Sequence, residues 1–564
     1  MNRLKSHRAV RYCLTGIALI VSCCVASPAV ARTYAQIEGS GSTWSQVILS
    51  QWITDVNASG MKVTYNGSGS SQGRKDFANS VTDFGISEIP YQGKDERGQA
   101  DTANGREYAY LPIVAGGTAF TYQVKVAGKN VTNLRLSGET IAKIFTNKIK
   151  NWNDPAITRD NNGRVLPSLP ITPVIRSDGS GTTAQFTRYL DTMYPSIWRP
   201  FFGHTGLTSY FPKPSGGRAI AAAGSDQVMN TISGAAGNGT IGYVEYSYPR
   251  NAHYPVVKLL NSGGYYVEPT QYNVAVALTK AKINQDKSSP DYLTQILDGV
   301  YRAKDARAYP MSSYSYMIIP TGKTDRRMTT AKRQTLADFM YYSLCEGQGK
   351  AGGYGYSPLP LNLVSAGFQQ IAKLKTADAK VDLSNRSVTG CHNPTFVAGN
   401  LSKNHLAEVA PQPAACDKVG AGPCTTGTGT GTPSTDTNSA SAGSGKASAA
   451  GGGGTAAAGT GGAGASGGAG ATGGTGAAAG AIDPETGAIT QAGAGVTGAA
   501  VAPTPTELVA SRTGDRTTFG ALAVLELLAL VLLPGGYVAW RRRSSSTTGS
   551  TSRATSGATS GGAA

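Results

Sequence analysis

Between a short apolar run at 171–175 and an amphipathic segment at 183–194 the chain reads Arg176-Ser177-Asp178-Gly179-Ser180-Gly181-Thr182. This order predicts a strand, a tight loop and a helix, because Phe186 and Leu190 are four residues apart and fall on one helix face. The first N–H groups of a helix lack internal partners and lie at the positive end of its dipole, so a small anion binds there. Arg176 would add a full positive charge, and Asp178 would orient its guanidinium group.

The same order of features occurs twice near the start of the chain. Residues 34–56 read as a short strand, the loop Gly-Ser-Gly-Ser-Thr and an amphipathic helix. Residues 62–80 repeat this order and lead into the segment 83–88. Strands that alternate with helices predict an α/β fold with parallel strands, in which ligands bind at the carboxyl ends of the strands. We therefore expect the three loops to meet around one anion.

The first 31 residues have the features of a secretory signal peptide. Residues 1–11 carry four basic residues and no acid, an apolar run reaches about residue 26, and Ala29-Val30-Ala31 supplies a cleavage site. We leave residues 1–31 out of the fold and expect the remainder to be exported. Cys23 lies in a sequence that loosely resembles a lipoprotein cleavage box, so a lipidated start at Cys23 is an alternative.

The C-terminal part predicts a tether and a membrane span. Residues 425–517 consist largely of Gly, Ala, Ser and Thr, which indicates a flexible, disordered linker rather than a core. Residues 518–540 are nearly all apolar, are long enough to form a transmembrane helix, and are followed by three arginines. The positive-inside rule then places the tail 541–564 in the cytoplasm and the residues before 518 outside.

The charge of the chain favours an anionic solute. The formal net charge is +17, and it is about +10 for the exported part, without the basic residues of the signal and tail and without Glu526. No basic run is interleaved with aromatic residues, so we expect no nucleic acid partner. The phosphate-binding loop of nucleotide hydrolases is absent from the sequence, so energy for any transport would come from partner subunits.

The exported part before the linker predicts a two-lobed domain with disulfides. Residues 32–375 are long for a single core, and 376–424 form a cysteine-containing extension that the sequence does not place. Four cysteines in an oxidising compartment allow three pairings. We expect Cys345–Cys391 and Cys416–Cys424, because the last two are close in sequence. Paired ligand spacing is lacking, and we expect neither a metal nor a cofactor.

Six segments, taken in order, form a set of motifs: GSGSTW at 39–44, YNGSGSS at 65–71, DFGISE at 83–88, KIFTNKIKNW at 143–152, RSDGSGT at 176–182 and GTIGYVE at 239–245. Together they resemble the periplasmic phosphate-binding proteins, the solute receptors of the high-affinity phosphate ABC transporter. The resemblance covers about residues 35–375. It implies a two-lobed, hinged receptor that closes over one dehydrated inorganic phosphate, acts as a monomer, serves ABC permease subunits and catalyses no reaction.

The resemblance also implies boundaries for the lobes. Lobe one would hold residues 33–115 and 275–375, and lobe two residues 116–274. The chain would cross between them near 114–120 and 272–278.

The resemblance assigns the phosphate contacts residue by residue. They are the Thr43 hydroxyl, the Trp44 backbone N–H, Ser70, Arg176, Ser180, Gly181 and Thr182, with Glu88 as the acidic acceptor and Asp178 in support of Arg176. The family commonly has Phe in place of Trp44 and Asp in place of Glu88. Glu88 is one methylene longer, so the pocket must shift or a water must intervene. A carboxylate still accepts the proton of HPO₄²⁻ and repels sulfate, which has no proton at neutral pH.

Two other functional classes are compatible with parts of the sequence. Residues 69–73 match the G-x-S-x-G nucleophile elbow of serine hydrolases, but His204 and His253 have no acidic partner nearby in sequence. A surface adhesin or phosphate sensor could keep the receptor fold and use the long tether for display. Neither the tether nor the membrane span is typical of the phosphate-binding family, so this second alternative stays open.

Overall fold

A computed structural model describes residues 34–424, apart from residues 96, 290, 385, 387, 398, 399, 401 and 402. In this range the strands are β1 Ile37–Gly41, β2 Val63–Asn66, β3 Phe84–Ser87, β4 Gly93–Lys94, β5 Ala100–Asp101, β6 Tyr108–Tyr122, β7 Lys125–Val126, β8 Lys129–Asn130, β9 Arg135–Leu136, β10 Thr172–Arg176, β11 Ile220–Ala222, β12 Thr240–Glu245, β13 Lys258–Leu260, β14 Tyr266–Val267, β15 Lys282–Ile283, β16 Gln295–Ile296 and β17 Ser312–Pro320. The α-helices are α1 Gln46–Asn57, α2 Ser70–Ala78, α3 Gly138–Phe145, α4 Pro155–Asp160, α5 Gly181–Met193, α6 Pro195–Phe202, α7 Gly224–Ser233, α8 Ser247–Asn251, α9 Gln271–Leu278, α10 Asp298–Tyr301, α11 Thr330–Leu344, α12 Gln348–Ala351, α13 Leu361–Ala377 and α14 His405–Val409.

Most of these elements surround an eight-stranded mixed sheet with the order β11-β10-β12-β6-β17-β3-β1-β2. β1 pairs in parallel with β2 and β3, and β10 pairs in parallel with β11 and β12. β17 is antiparallel to both β3 and β6. The prediction of an α/β fold with parallel strands is therefore confirmed.

The long strand β6 joins the two parallel groups of strands. Its residues 108–117 pair with β17 beside β3, and its residues 118–122 pair with β12. The first expected crossing, 114–120, thus falls on β6, and the second, 272–278, falls on helix α9. We keep the names lobe one and lobe two for the residue ranges given above, which remain a prediction.

Helix α5 shows why the organising loop takes this form. Ser180 is its N-cap, and the Ser180 side chain accepts a hydrogen bond from the backbone N–H of Thr183 at 3.2 Å. Phe186 and Leu190 are fully buried, as their four-residue spacing predicts. The Phe186 ring lies 5.1 Å from the ring of Phe120 on β6. This packing fixes the helix axis, so the first turn of α5 lies at the end of β10.

The extension 376–424 contacts both lobes. Its first cysteine, Cys391, pairs with Cys345 at the end of α11, and Cys416 pairs with Cys424, as expected from the sequence. Further along, Asp417 accepts a 2.7 Å ion-pair hydrogen bond from Lys258 of lobe two, and both side chains are less than 10% exposed. The extension therefore belongs to the folded part of the chain.

Several expectations concern segments outside the described residues. These are the signal peptide 1–31, the linker 425–517, the transmembrane helix 518–540 and the tail 541–564. Within residues 34–424, none of the helices combines the length and apolar character needed to cross a bilayer.

Candidate anion-binding site

The side chains expected to contact the anion lie where the parallel strands of both lobes end. Three loops of lobe one and one loop of lobe two supply them, and all seven non-glycine residues have exposed fractions of 1 to 3%. After β1 come Thr43 and Trp44, after β2 comes Ser70, and after β3 comes Glu88; Arg176 is the last residue of β10, and Ser180 and Thr182 follow that strand. The two lobes also touch directly, because the Ser71 N–H donates to the Gly179 carbonyl at 3.1 Å.

Arg176 is the cation of this cluster, and Asp178 holds it in place. The Arg176 Nε donates to Asp178 Oδ1 at 2.7 Å, and Nη2 donates to Asp178 Oδ2. Burial alone would raise the pKa of Asp178, but its bonds to Arg176 and the backbone N–H of Gly224 lower that pKa overall. Asp178 is therefore a charged partner that orients the guanidinium.

Glu88 lies within the same cluster as an enclosed carboxyl group. Ser42 donates to its Oε1, and Ser70 donates to its Oε2 at 2.7 Å. Burial raises the pKa of Glu88, while the two hydroxyl donors and the charge of Arg176 act in the opposite direction. The extra methylene of Glu88, relative to the Asp of the family pattern, is thus accommodated by serine hydroxyls on both carboxylate oxygens.

The Trp44 indole ring packs against an aromatic neighbour in the core. The ring meets the edge of Tyr356 at a centroid distance of 5.7 Å, and the Tyr356 hydroxyl donates to the Trp44 carbonyl at 2.6 Å. The large side chain of Trp44 is therefore part of the hydrophobic core. A phosphate contact through the Trp44 backbone N–H stays a prediction.

The structure adds polar residues that the sequence analysis did not single out. Ser42 contacts Glu88, as described above, and the Gln185 side chain donates to the Glu88 carbonyl at 2.7 Å. Ser225 lies 3.0 Å from the Thr43 hydroxyl. Strand β11 ends at Ala222, and after Ala223 the residues Gly224 and Ser225 begin helix α7, so the order of strand, glycine, hydroxyl and helix was present in the sequence. The strand is only three residues of Ile and Ala, and its pattern was too weak to detect.

The serine of the hydrolase-like motif has a different environment. The Ser71 Oγ accepts a hydrogen bond from Nη2 of Arg74 at 3.4 Å. A guanidinium has no lone pair with which to take up a proton, so this neighbour cannot activate Ser71 as a nucleophile.

Gly181 gives a direct test of how closely the site is packed. A Cβ at this position would lie 2.0 Å from Glu88 Oε2 and 2.6 Å from Ser70 Oγ. We expect Gly181→Ala to weaken phosphate binding about 10- to 100-fold, because overpacking of this kind costs about 1–3 kcal/mol. Titration calorimetry would measure the change.

The matched control for this substitution is Gly349→Ala, since a Cβ at Gly349 has no neighbour within 4 Å. We expect wild-type affinity from this variant. A Gly181→Ala protein that binds as tightly as wild type would show that the anion does not sit beside Glu88 and Ser70.

Comparison with known proteins places the chain in a family. A family model described as a PBP superfamily domain matches residues 26–346. Phosphate-binding protein PstS of Methanocaldococcus jannaschii is 30% identical over 347 residues, which cover 60% of this chain and 86% of that protein. Phosphate-binding protein PstS 3 of Mycobacterium tuberculosis is 32% identical over 329 residues, which cover 57% and 82% of the two chains.

One solved structure to which the chain is similar is that of a putative phosphate ABC transporter substrate-binding protein with bound phosphate from Clostridium perfringens. It is 19% identical, covers 58% of this chain and 100% of that chain, and has a TM-score of 0.38. The family model and the curated relatives carry the assignment. The chain belongs to the PBP superfamily and, within it, to the family of the phosphate-binding proteins PstS.

Proposed function

We propose that this protein binds inorganic phosphate outside the cytoplasmic membrane and delivers it to an ABC import permease. The relatives that carry the family assignment are named phosphate-binding proteins. The site in this chain supports the same ligand, because it combines one arginine, several hydroxyl donors and the first turn of a helix.

The observation that carries the proposal is the meeting of donors and one acceptor in a single enclosed cluster. Glu88 and Ser70 of lobe one lie against Gly181 of lobe two, and Arg176 is close enough to lower the Glu88 pKa by its charge. Sulfate would meet only donors in most anion sites, but here it would also face a carboxylate. A protonated phosphate satisfies both kinds of group.

Each residue then has a defined part in binding. Arg176 supplies charge and a planar pair of donors. Helix α5 begins after its N-cap Ser180, and its first backbone N–H groups supply further donors. Ser70 would turn its hydroxyl from Glu88 to a phosphate oxygen. Glu88 would then accept the proton of the ligand in place of the proton of Ser70. Binding proceeds without covalent chemistry.

We further propose that the receptor is a monomer attached to the membrane. Residues 1–31 would direct export, 518–540 would span the bilayer and 541–564 would lie in the cytoplasm. The linker 425–517 would let the receptor reach its permease, because a Gly-rich coil of this length has a root-mean-square reach on the order of 50 Å. The apolar run 518–540 and the arginines after it support this arrangement.

Calorimetric titration of the full chain with phosphate and with sulfate tests the proposed function. The protein would be purified in mild detergent and dialysed free of bound anion. We expect micromolar or tighter binding of phosphate and no measurable binding of sulfate at neutral pH. If folded protein bound neither anion, the proposal would be wrong, and a role as a surface adhesin would take its place.

A further inference from the structure

We propose that Ser225 is a positioning residue that orients two of the proposed phosphate contacts, Thr43 and Arg176. Ser225 lies outside the residues that the family resemblance assigns. The inference rests on the proposed function, since it concerns the tightness with which the same site holds phosphate.

Ser225 connects the two lobes at the anion cluster. It is the second residue of α7, it is fully buried, and the preceding strand β11 places Ala222 beside Arg176 in register. The Ser225 Oγ lies 3.0 Å from the Thr43 Oγ1, and the Ser225 backbone N–H donates to the same Thr43 oxygen at 3.2 Å. Thr43 is in lobe one and Ser225 in lobe two, so the pair forms part of their contact.

The proposed phosphate contact of Thr43 sets the direction of the hydrogen bond between the two hydroxyls. Arg176 has donors only, so its Nη1 donates to the Ser225 Oγ, at 3.5 Å. Ser225 Oγ keeps its own proton, and Thr43 Oγ1 already accepts from the Ser225 N–H. When Thr43 donates to a phosphate oxygen, Thr43 Oγ1 accepts the Ser225 proton with its second lone pair. Ser225 thus supports Thr43 as a donor toward the anion.

The other neighbours of Ser225 fit this role. Tyr248 of lobe two donates its phenolic proton to the Thr43 carbonyl, so a second residue of lobe two also holds Thr43. Gly224 has a positive φ of 73° and donates its N–H to Asp178 Oδ1 at 3.0 Å. The backbone of this turn therefore supports the Asp178–Arg176 pair independently of the Ser225 hydroxyl. Removal of the hydroxyl alone should leave that pair intact.

The test compares phosphate binding by the full chain with and without the Ser225 hydroxyl. We expect Ser225→Ala to bind inorganic phosphate about 10-fold more weakly, the size of effect of one hydrogen bond in a charged network. The loss should appear mainly as faster dissociation, because the hydroxyl acts after the lobes have met. Ser233→Ala, at the far end of α7, is the matched control and should bind as wild type.

A double variant separates positioning from a merely structural role. If Ser225 acts through Thr43, Thr43→Val should remove most of its effect. The double variant should then be within about 3-fold of Thr43→Val alone, because coupled residues are non-additive. Fully additive losses, or binding by Ser225→Ala within about 2-fold of wild type, would overturn the inference. Absence of phosphate binding by the wild type would be seen first and would overturn the proposed function as well.

Discussion

Replacement of Arg176 by alanine is expected to weaken phosphate binding by more than about 100-fold, because truncating one member of a buried, hydrogen-bonded charge pair costs about 2–5 kcal/mol. Arg176 is 3% exposed, and its guanidinium is bound by both oxygens of Asp178. Its removal takes away the cation of the cluster and leaves the Asp178 carboxylate without its partner. That carboxylate would then repel the ligand. Calorimetric titration with phosphate measures the combined effect of the lost cation and the unpaired carboxylate on affinity.

The control for Arg176→Ala is Arg199→Ala, which removes the same charge from the exposed surface of α6. We expect Arg199→Ala to bind phosphate as wild type does. Near-ultraviolet circular dichroism would show that both variants are folded. If folded Arg176→Ala bound phosphate within about 5-fold of wild type, Arg176 would not be a contact of the anion, since a charge-assisted bond is worth more than that.

Replacement of Glu88 by glutamine is expected to reduce the preference for phosphate over sulfate. The glutamine side chain would keep the shape of Glu88 but would replace one carboxylate oxygen by an amide donor. The site would lose its negative charge and one of its two acceptor oxygens, so it would favour the proton of phosphate less and would no longer repel sulfate. We expect the ratio of phosphate to sulfate affinity to fall by at least about 100-fold, as sites with an unpaired polar group discriminate by such factors. Competition between the two anions on one protein sample would measure the ratio.

The raised pKa of Glu88 also predicts the direction in which sulfate affinity changes with pH. Burial raises that pKa above its usual range, so protonation of Glu88 begins at a higher pH than for an exposed glutamate. Sulfate affinity of the wild type should therefore rise as the pH falls, whereas sulfate affinity of Glu88→Gln should stay constant. Glu346→Gln, on an exposed residue, is the control and should follow the wild type. An unchanged ratio of phosphate to sulfate affinity in Glu88→Gln would show that Glu88 does not determine the selectivity of the site.

Local sequence patterns predicted many contacts within the candidate site, because these contacts join residues that are close to each other along the chain. The Ser180 side chain caps a helix that starts at the next residue, and Asp178 reaches Arg176 from two residues away. Strand and helix limits differ by a few residues from the predicted ones: the helix expected over the amphipathic segment 183–194, for instance, is α5, Gly181–Met193. The alternation of strands and helices sufficed for an α/β fold with parallel strands.

Long-range contacts could not be predicted in this way. Ser42 and Glu88 are 46 residues apart, and Thr43 and Ser225 are 182 residues apart, so their contacts depend on strand order and on the meeting of the lobes. The ion pair between Asp417 of the extension and Lys258 of lobe two likewise depends on the tertiary fold, because the two residues are far apart in sequence.

The sequence by itself determined the α/β class and the loops that carry the candidate contacts, because these follow from neighbours along the chain. It left three disulfide pairings possible, and the structure selects Cys345–Cys391 and Cys416–Cys424. Only the tertiary structure decided that Glu88 is held by Ser42 and Ser70 and that Ser225 joins Thr43 to Arg176. The physical reason is that β6 and β17 lie between the two parallel groups of strands, with β6 paired with β12 and β17 paired with β3, so that one sheet holds the loops of both groups near each other. Side chains from distant parts of the chain then share one buried volume, in which every donor needs an acceptor.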